Sequence, residues 1–453
     1  GKDSSGTDHR TPNPPRDEET LPGRWRRNLR HGRFAQPSPG MESVAPNRHR
    51  EREGGVVVTA TAVIRNPNVA VLAAETDRSL RNPDNTFTVV PGSKIYPTGK
   101  KTAVVVAGLG AFEERPLELI ISASCDRSAE LTPLQSAKSF TSSFVQTLNR
   151  LGVSASDLTQ QTICGTLQDL DRASDGAILA SLPSDGKGKC TDSVYDEVLA
   201  SLEKFVSSLE PRPNAVPFDT QKAEEYLLTL SAPTLAEHVA KDAGLEVVPN
   251  EAQRQRFAKF FALAADKDYW TRDDATLAFA GFGEEQLMPS ICTVNLAGAI
   301  GDQVIASIED DDPAINNELS RIAMTAQSSA QEELVYGINS NDFNSVIETS
   351  VVTAKNALKM HEKDAEKFGT ALEDKLGGYF RDTYSEPLIR TVRSMDVPGI
   401  ARLADLLIRI QELRSMCSTS QATVGGVIEV ASITKHEGIR WHRKFEVNLD
   451  GGG

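Results

Sequence analysis

An apolar segment folded back on itself around an Asn-Pro-Asn turn constrains this chain more than any other feature. Thr59–Ile64 reads Thr-Ala-Thr-Ala-Val-Ile, in which β-branched residues alternate with alanine, and Val69–Ala74 is a second apolar run of strand length. Arg65-Asn66-Pro67-Asn68 lies between them. Proline cannot donate to a helix or a sheet ladder, and asparagine favours turns, so the two runs predict a hairpin. Each strand is apolar enough to be buried on at least one face.

More strands follow, each marked off by turn residues. Asn82-Pro83-Asp84-Asn85 leads to Thr86–Val90, and after Lys94 comes the buried-type run Thr102–Ala107, closed by Gly108-Leu109-Gly110. That glycine pair lacks the third glycine of a dinucleotide fingerprint, and no second half of a βαβ unit follows it. Helical spacing appears over Arg115–Ser124 and Pro133–Leu151, with Pro133 near a helix start, where proline is tolerated. Residues 152–270 read as mainly helical and polar-faced, broken by Asp185-Gly186-Lys187-Gly188-Lys189. Strands return at Thr276–Gly281, Ser290–Leu296 and Gln303–Ile308, helices at Thr325–Tyr336, Phe343–Lys363 and Val397–Met416, and strands close the chain at Val427–Thr434 and Ile439–Val447. Blocks of strands and helices, without βαβαβ alternation, predict an α+β fold with mixed sheets. Its expected form is two face-packed sheets with helices on both outer sides.

Composition narrows the partners. The formal net charge is −14, yet residues 1–55 carry eleven Lys/Arg against eight Asp/Glu, so the rest of the chain holds −17. An acidic body argues against nucleic acid or an anionic membrane as partner. Cys125, Cys164, Cys190, Cys292 and Cys417 are scattered, odd in number and without a C-x-x-C pair, which predicts free thiols in a reducing cytoplasm. No apolar run approaches the roughly 18–20 residues of a membrane span, and no hydrophobic signal-peptide segment is present.

Residues 1–55 are rich in Pro, Arg and Gly and lack a hydrophobic period, which reads as a disordered tail; the alternative reading of the arginines is a nucleic-acid arm. A third reading concerns translation. Glu53-Gly54-Gly55 can be encoded by purine-rich codons like those of a bacterial ribosome-binding site, and GTG is both a valine codon and an alternative start. Initiation is therefore expected at Val56, Val57 or Val58, with residues 1–58 a non-native or disordered extension. Removal of an initiator at position 58 would leave Thr59 as the N-terminus.

Four segments in order resemble the proteasome-like N-terminal-nucleophile (Ntn) hydrolases, and also a set of uncharacterised bacterial proteins related to proteasome β-subunits. TATAVIRNPNVAVLAAE, from Thr59 to Glu75, is similar to the family's opening, in which a nucleophilic Thr is followed sixteen positions later by an acid. SKIYPTGKKTAVVVAGLGAFEERPLELII resembles its lysine-bearing strand, next strand, glycine turn and first helix. LAFAGFGEEQLMPSICTVNLAGAI resembles the paired strands after the first two helices, and TVGGVIEVASITKHEGIRWHRK the closing G-G-x-[ID]-V…I-T-K-x-G pair. The match covers roughly 59–150 and 272–447. It implies a four-layer αββα Ntn-hydrolase-like sandwich, with halves at 59–151 and 271–447, a helical insertion at 152–270 and a tail at 448–453.

The resemblance also implies a site. A free N-terminal Thr combines a hydroxyl nucleophile with an α-amine whose pKa lies near 8, so one residue supplies nucleophile and base. Carried over, Thr59 takes that role, Lys94 disfavours protonation of the amine, Glu75 orients Lys94, and the backbone N–H of Gly108 stabilises the oxyanion. Ser328, in Gln327-Ser328-Ser329-Ala330, matches the serine of the family's Gly-Ser-Gly loop. The implied function is a cytoplasmic, homo-oligomeric threonine peptidase acting on peptides or unfolded protein, without cofactor or metal.

The departures support an inactive, proteasome-like structural or regulatory protein as the alternative. The family's acid is usually Asp, here Glu75; the glycines flanking Ser328 are missing; and Gln421 and Val424 stand where the family places an Asp and a Ser. Thr59 as an edge-strand residue, Lys94 as an exposed strand lysine and Glu75 as a simple strand end are the corresponding plain readings. Glu309-Asp310-Asp311-Asp312 reads as a solvated acidic loop, with a divalent-cation site as its alternative. His436 and His442 flank a hairpin turn without metal-ligand spacing, and no G-x-S-x-G elbow occurs.

Overall fold

The computed structural model describes residues 60–81, 87–108, 110–112, 115–173, 192–230, 250–267, 275–316, 318–326, 328–417 and 425–445. The described residues divide into two compact units, one of residues 60–339 and 380–445, the other of 340–379. The expectations for residues 1–58 and for the tail 448–453 lie outside the described residues.

The larger unit begins with β1 (Ala60–Asn66) and β2 (Val69–Glu75), the anticipated hairpin. Its turn is narrower than the sequence suggested, because Arg65 and Asn66 are buried strand residues. Asn66 Oδ1 accepts from the N–H groups of Asn68 (2.9 Å) and Val69 (3.2 Å), an Asx turn that leaves only Pro67-Asn68 at the tip. There follow β3 (Asp77–Arg81), β4 (Phe87–Pro91), β5 (Ile95–Pro97), β6 (Thr102–Gly108) and the short pair β7 (Ala111–Phe112) and β8 (Arg115–Pro116). Next come α1 (Leu117–Ser124) and α2 (Pro133–Arg150), the latter started by a reciprocal Thr132/Gln135 capping box with Pro133 in its first turn. The insertion supplies α3 (Ala155–Ala173), α4 (Asp192–Ser208), α5 (Thr220–Thr229) and α6 (Glu251–Ala265).

Beyond the insertion lie β9 (Ala275–Gly281), β10 (Ser290–Ile300), β11 (Gln303–Asp311), the single turn α7 (Pro313–Asn316), β12 (Arg321–Ala326) and α8 (Ser329–Tyr336). The helix expected from Thr325 therefore starts four residues later. Ile322 and Met324 alternate as strand residues and β12 pairs with β1, so sheet pairing outweighs helical spacing there. The smaller unit contains α9 (Ser340–Leu358) and nearly all of α10 (Glu362–Phe380). The single helix expected over Phe343–Lys363 is broken because Lys359 adopts a left-handed φ of 51°. Back in the larger unit, a π turn at Arg381–Ser385 leads into α11 (Glu386–Ser394), α12 (Val397–Cys417), β13 (Ile428–Thr434) and β14 (Gly438–Arg443).

The fold is mixed α/β, and in place of the expected mixed sheets the strand pairs of the described residues are antiparallel. One five-stranded sheet runs β12-β1-β2-β13-β14 and the other β11-β10-β9-β6-β5. Alternation along each strand sorts side chains into separate clusters. Val63, Ala70, Leu72, Ala74, Ala431 and Ile433 of the first sheet meet Ile95, Ala103, Val105, Ala278, Ala280 and Ile291 of the second. The opposite face of the first sheet, with Ala62, Ile64, Val71 and Val430, packs on Val335 of α8, Val392 of α11 and Ile400, Ala404 and Leu407 of α12. The corresponding face of the second, with Val104, Leu277, Phe279 and Val294, packs on Ile120 of α1, Phe140 and Phe144 of α2 and Leu158 of α3. Insertion helices α3 to α6 form their own core and rest on Ile300 and Ile305 of the β10–β11 hairpin.

The acidic run is not a solvated loop. Glu309 to Asp311 end β11, and Asp311 is 2% exposed. Its carboxylate receives Arg65 Nε (2.9 Å) and Nη2 (3.0 Å) in a buried fork that ties β1 of one sheet to β11 of the other. Asp312 instead caps the short helix by accepting the Ala314 N–H (2.9 Å).

Candidate functional site

The register brings the start of β1, the end of β2, the end of β12 and the start of β13 to one end of the first sheet: Ala60 faces Ala326, Thr61 faces Ala74, and Glu75 faces Ile428. Glu75 is 1% exposed. Its Oε1 accepts the N–H of Ala60 at 3.0 Å and its Oε2 accepts from Lys94 Nζ at 2.7 Å. Lys94, itself buried in the loop before β5, also donates from Nζ to the carbonyl of Asp77. Two of the five sequence-predicted residues are thus in direct contact, and one carboxylate joins the lysine to the residue that follows Thr59. Thr59, Gln421 and Val424 lie outside the described residues.

Two charges removed from water persist only when geometry and further hydrogen bonds offset desolvation. Here both carboxylate oxygens and the ammonium have partners. Burial nevertheless dominates, pushing the Glu75 carboxyl from 4.5 up to about 7, against the pull of Lys94 and the Ala60 N–H; the charge of Asp77 adds to the rise. The folded state therefore holds a proton that the unfolded chain releases, and stability should fall as pH rises from about 4.5 to about 7. Urea unfolding at pH 5, 6 and 7 should show this decline in the native chain and a flatter profile in Glu75→Gln. Equal slopes in the two proteins would refute it.

Around the pair, the backbone is pinned by the segment that leads into β13 and by β13 itself. Thr76 Oγ1 accepts the Val427 N–H at 3.0 Å, and Asp77 N–H donates to the Gly425 carbonyl at 3.3 Å. Gly426 has φ of 88°, and a Cβ there would lie 2.4 Å from Asp77 Oδ1, so a side chain fits neither the conformation nor the space. Glu429, fully buried on β13, accepts the Lys94 N–H (2.9 Å), the Ser93 hydroxyl (2.9 Å) and the Phe445 N–H (3.1 Å). No protein-family model matches the chain, and no curated protein matches its sequence.

The other two predicted residues have different surroundings. Gly108 closes β6 with φ of 80°, opposite Ala275, two residues beyond Val106, whose N–H donates to the Lys94 carbonyl at 3.0 Å. Ser328, buried just before α8, donates its hydroxyl to Glu332 Oε1 at 2.7 Å. It follows β12 by two residues, and the Thr325 hydroxyl on that strand is hydrogen-bonded to that of Thr61. Among the described residues, no cluster of His, Cys, Asp or Glu could hold a metal ion, and no helix is long and apolar enough to cross a membrane.

Sequence reading missed Thr76, Asp77, Glu332 and Glu429. Only Glu429 carried a usable signal: a lone acid inside the apolar run Val427-Ile428-Glu429-Val430-Ala431, where an unpaired charge is costly.

Proposed function

We propose that the chain is an Ntn-type amidohydrolase, a threonine peptidase whose nucleophile is Thr59 at an exposed N-terminus. The observation that carries this reading is Glu75 bridging Lys94 Nζ and the N–H of Ala60, because it supports a lysine beside the residue just before β1. The proposed fold is the four-layer αββα sandwich of that class, supported by one cluster shared by the two sheets and two clusters that join sheet faces to helices. In the mechanism the Thr59 hydroxyl attacks a peptide carbonyl while its own α-amine takes the proton, directly or through water. The charge of Lys94 keeps that amine unprotonated at neutral pH, Glu75 orients Lys94, and the Gly108 N–H receives the developing oxyanion. The substrate is a peptide or unfolded segment, and the enzyme works in the cytoplasm as a homo-oligomer.

One observation favours the inactive scaffold as second reading: the Ser328 proton is committed to Glu332. The test compares a chain beginning at Thr59, its free N-terminus confirmed by mass spectrometry, with one retaining Val56–Val58. Only the first should hydrolyse unstructured fluorogenic peptides. Absence of hydrolysis in both would favour the scaffold.

A further inference from the structure

Lys94 is held at two places by two different carboxylates. Glu75 takes its ammonium, and Glu429 takes its backbone N–H at 2.9 Å. The same Glu429 oxygen receives the Ser93 hydroxyl at 2.9 Å, so two consecutive residues of the loop before β5 hang on one atom. The other oxygen receives the N–H of Phe445, in the chain that leaves β14, at 3.1 Å. Glu429 has the strand parity of Ala431 and Ile433, which belong to the cluster shared by the two sheets. A carboxylate on that side is unfavourable unless several donors converge on it, and all three donors named here belong to the Lys94 loop or to the segment after β14.

We propose that Glu429 is a positioning residue for the Lys94–Glu75 pair, fixing where the lysine side chain is rooted and coupling the site to the segment around Phe445. This rests on the peptidase reading only for its effect on rate. With the root fixed, Nζ stays within reach of Glu75 and of the Asp77 carbonyl. With Glu429 neutralised, one of its two arms becomes an amide donor facing N–H or O–H donors, and the loop shifts. A displacement of about 1 Å near a reacting group costs up to roughly a hundredfold in rate.

The experiment uses Glu429→Gln and Glu429→Asp in the full folded body beginning at Thr59. Both keep the side chain polar; the aspartate retains the charge but shortens its reach. Two measurements are made: the kinetics on a fluorogenic peptide, giving kcat and KM, and the titration midpoint of the Glu75 carboxyl by carbon NMR. The charged groups facing Glu75 are Lys94 from the loop before β5 and Asp77 from the segment after β2. Expected for each variant are a kcat lowered about ten- to a hundredfold, a KM within about twofold, and a Glu75 midpoint moved upward as Lys94 withdraws. A merely structural Glu429 would lower the melting temperature and leave kcat and the midpoint where they were, which overturns the proposal. If the native chain shows no hydrolysis, the peptidase reading fails, and the Glu75 midpoint alone decides the positioning role. Should Glu429→Gln fail to fold, Glu429→Asp gives the same two readouts.

Discussion

Replacing Lys94 by methionine in protein that begins at Thr59 should lower kcat about 10²- to 10⁴-fold, the range associated with loss of a positioned proton acceptor. Methionine keeps an unbranched stem of similar length and removes the charge. On the proposed mechanism the Thr59 amine then loses a cation that disfavours its protonation, so less of it is free base at pH 7. Glu75 loses the partner that lies 2.7 Å away, and its buried carboxyl is driven further toward the protonated form. Lys94→Arg retains the charge but presents a planar fork in place of a compact ammonium, and should fall between the native protein and Lys94→Met. Thr59→Ala should abolish hydrolysis with stability nearly unchanged. Peptide hydrolysis followed beside thermal unfolding checks all three. A Lys94→Met variant within threefold of the native rate would rule out the proposed role of the lysine.

The largest effect on stability should come from the opposite end of β1. Asp311→Ala leaves the Arg65 guanidinium, whose side chain is 1% exposed, without the carboxylate that receives its Nε and Nη2. The Glu318 carbonyl still accepts from Nη1 at 2.8 Å, but a carbonyl does not neutralise a buried cation. Removing one partner of a buried pair typically costs about 3–5 kcal/mol, and Arg321, 3.4 Å from the same carboxylate, loses a partner as well. Replacing both ends with apolar residues of similar volume, Arg65→Met with Asp311→Leu, should recover much of the loss, because neither charge then remains to be desolvated. Denaturant unfolding of Asp311→Ala and of the double variant decides the matter. A loss below about 1 kcal/mol in Asp311→Ala would show that the fork does not hold the two sheets together.

Most of the elements were legible because each announces itself locally. The β1–β2 hairpin follows from two apolar runs and Asn66-Pro67-Asn68, and α2 from helical spacing that begins at Pro133. β12 was missed as a strand, and its last two residues were given to the following helix, because Arg321 to Ala326 is too short for a period to speak and its identity depends on β1 lying beside it. β3 was missed for the same reason: five residues with one apolar side chain, Leu80, are a strand only by virtue of pairing with β4.

The site divides along the same line. Residue types and order were enough to single out Glu75 and Lys94 in the sequence, since a resemblance needs only spacing. Their contact is a tertiary result, because Glu75 ends a strand of one sheet and Lys94 leads into a strand of the other. The raised Glu75 carboxyl is tertiary too, as burial outweighs the neighbouring lysine. Arg65 shows the reverse: by sequence it belonged to a turn, and only Asp311, 246 positions away, makes its burial possible. Local chemistry was therefore enough to specify most of the strands, and the spacing of a resemblance was enough to single out the candidate pair. Every buried charge had to wait for the fold, because a charge leaves water only where a partner from elsewhere in the chain arrives to meet it.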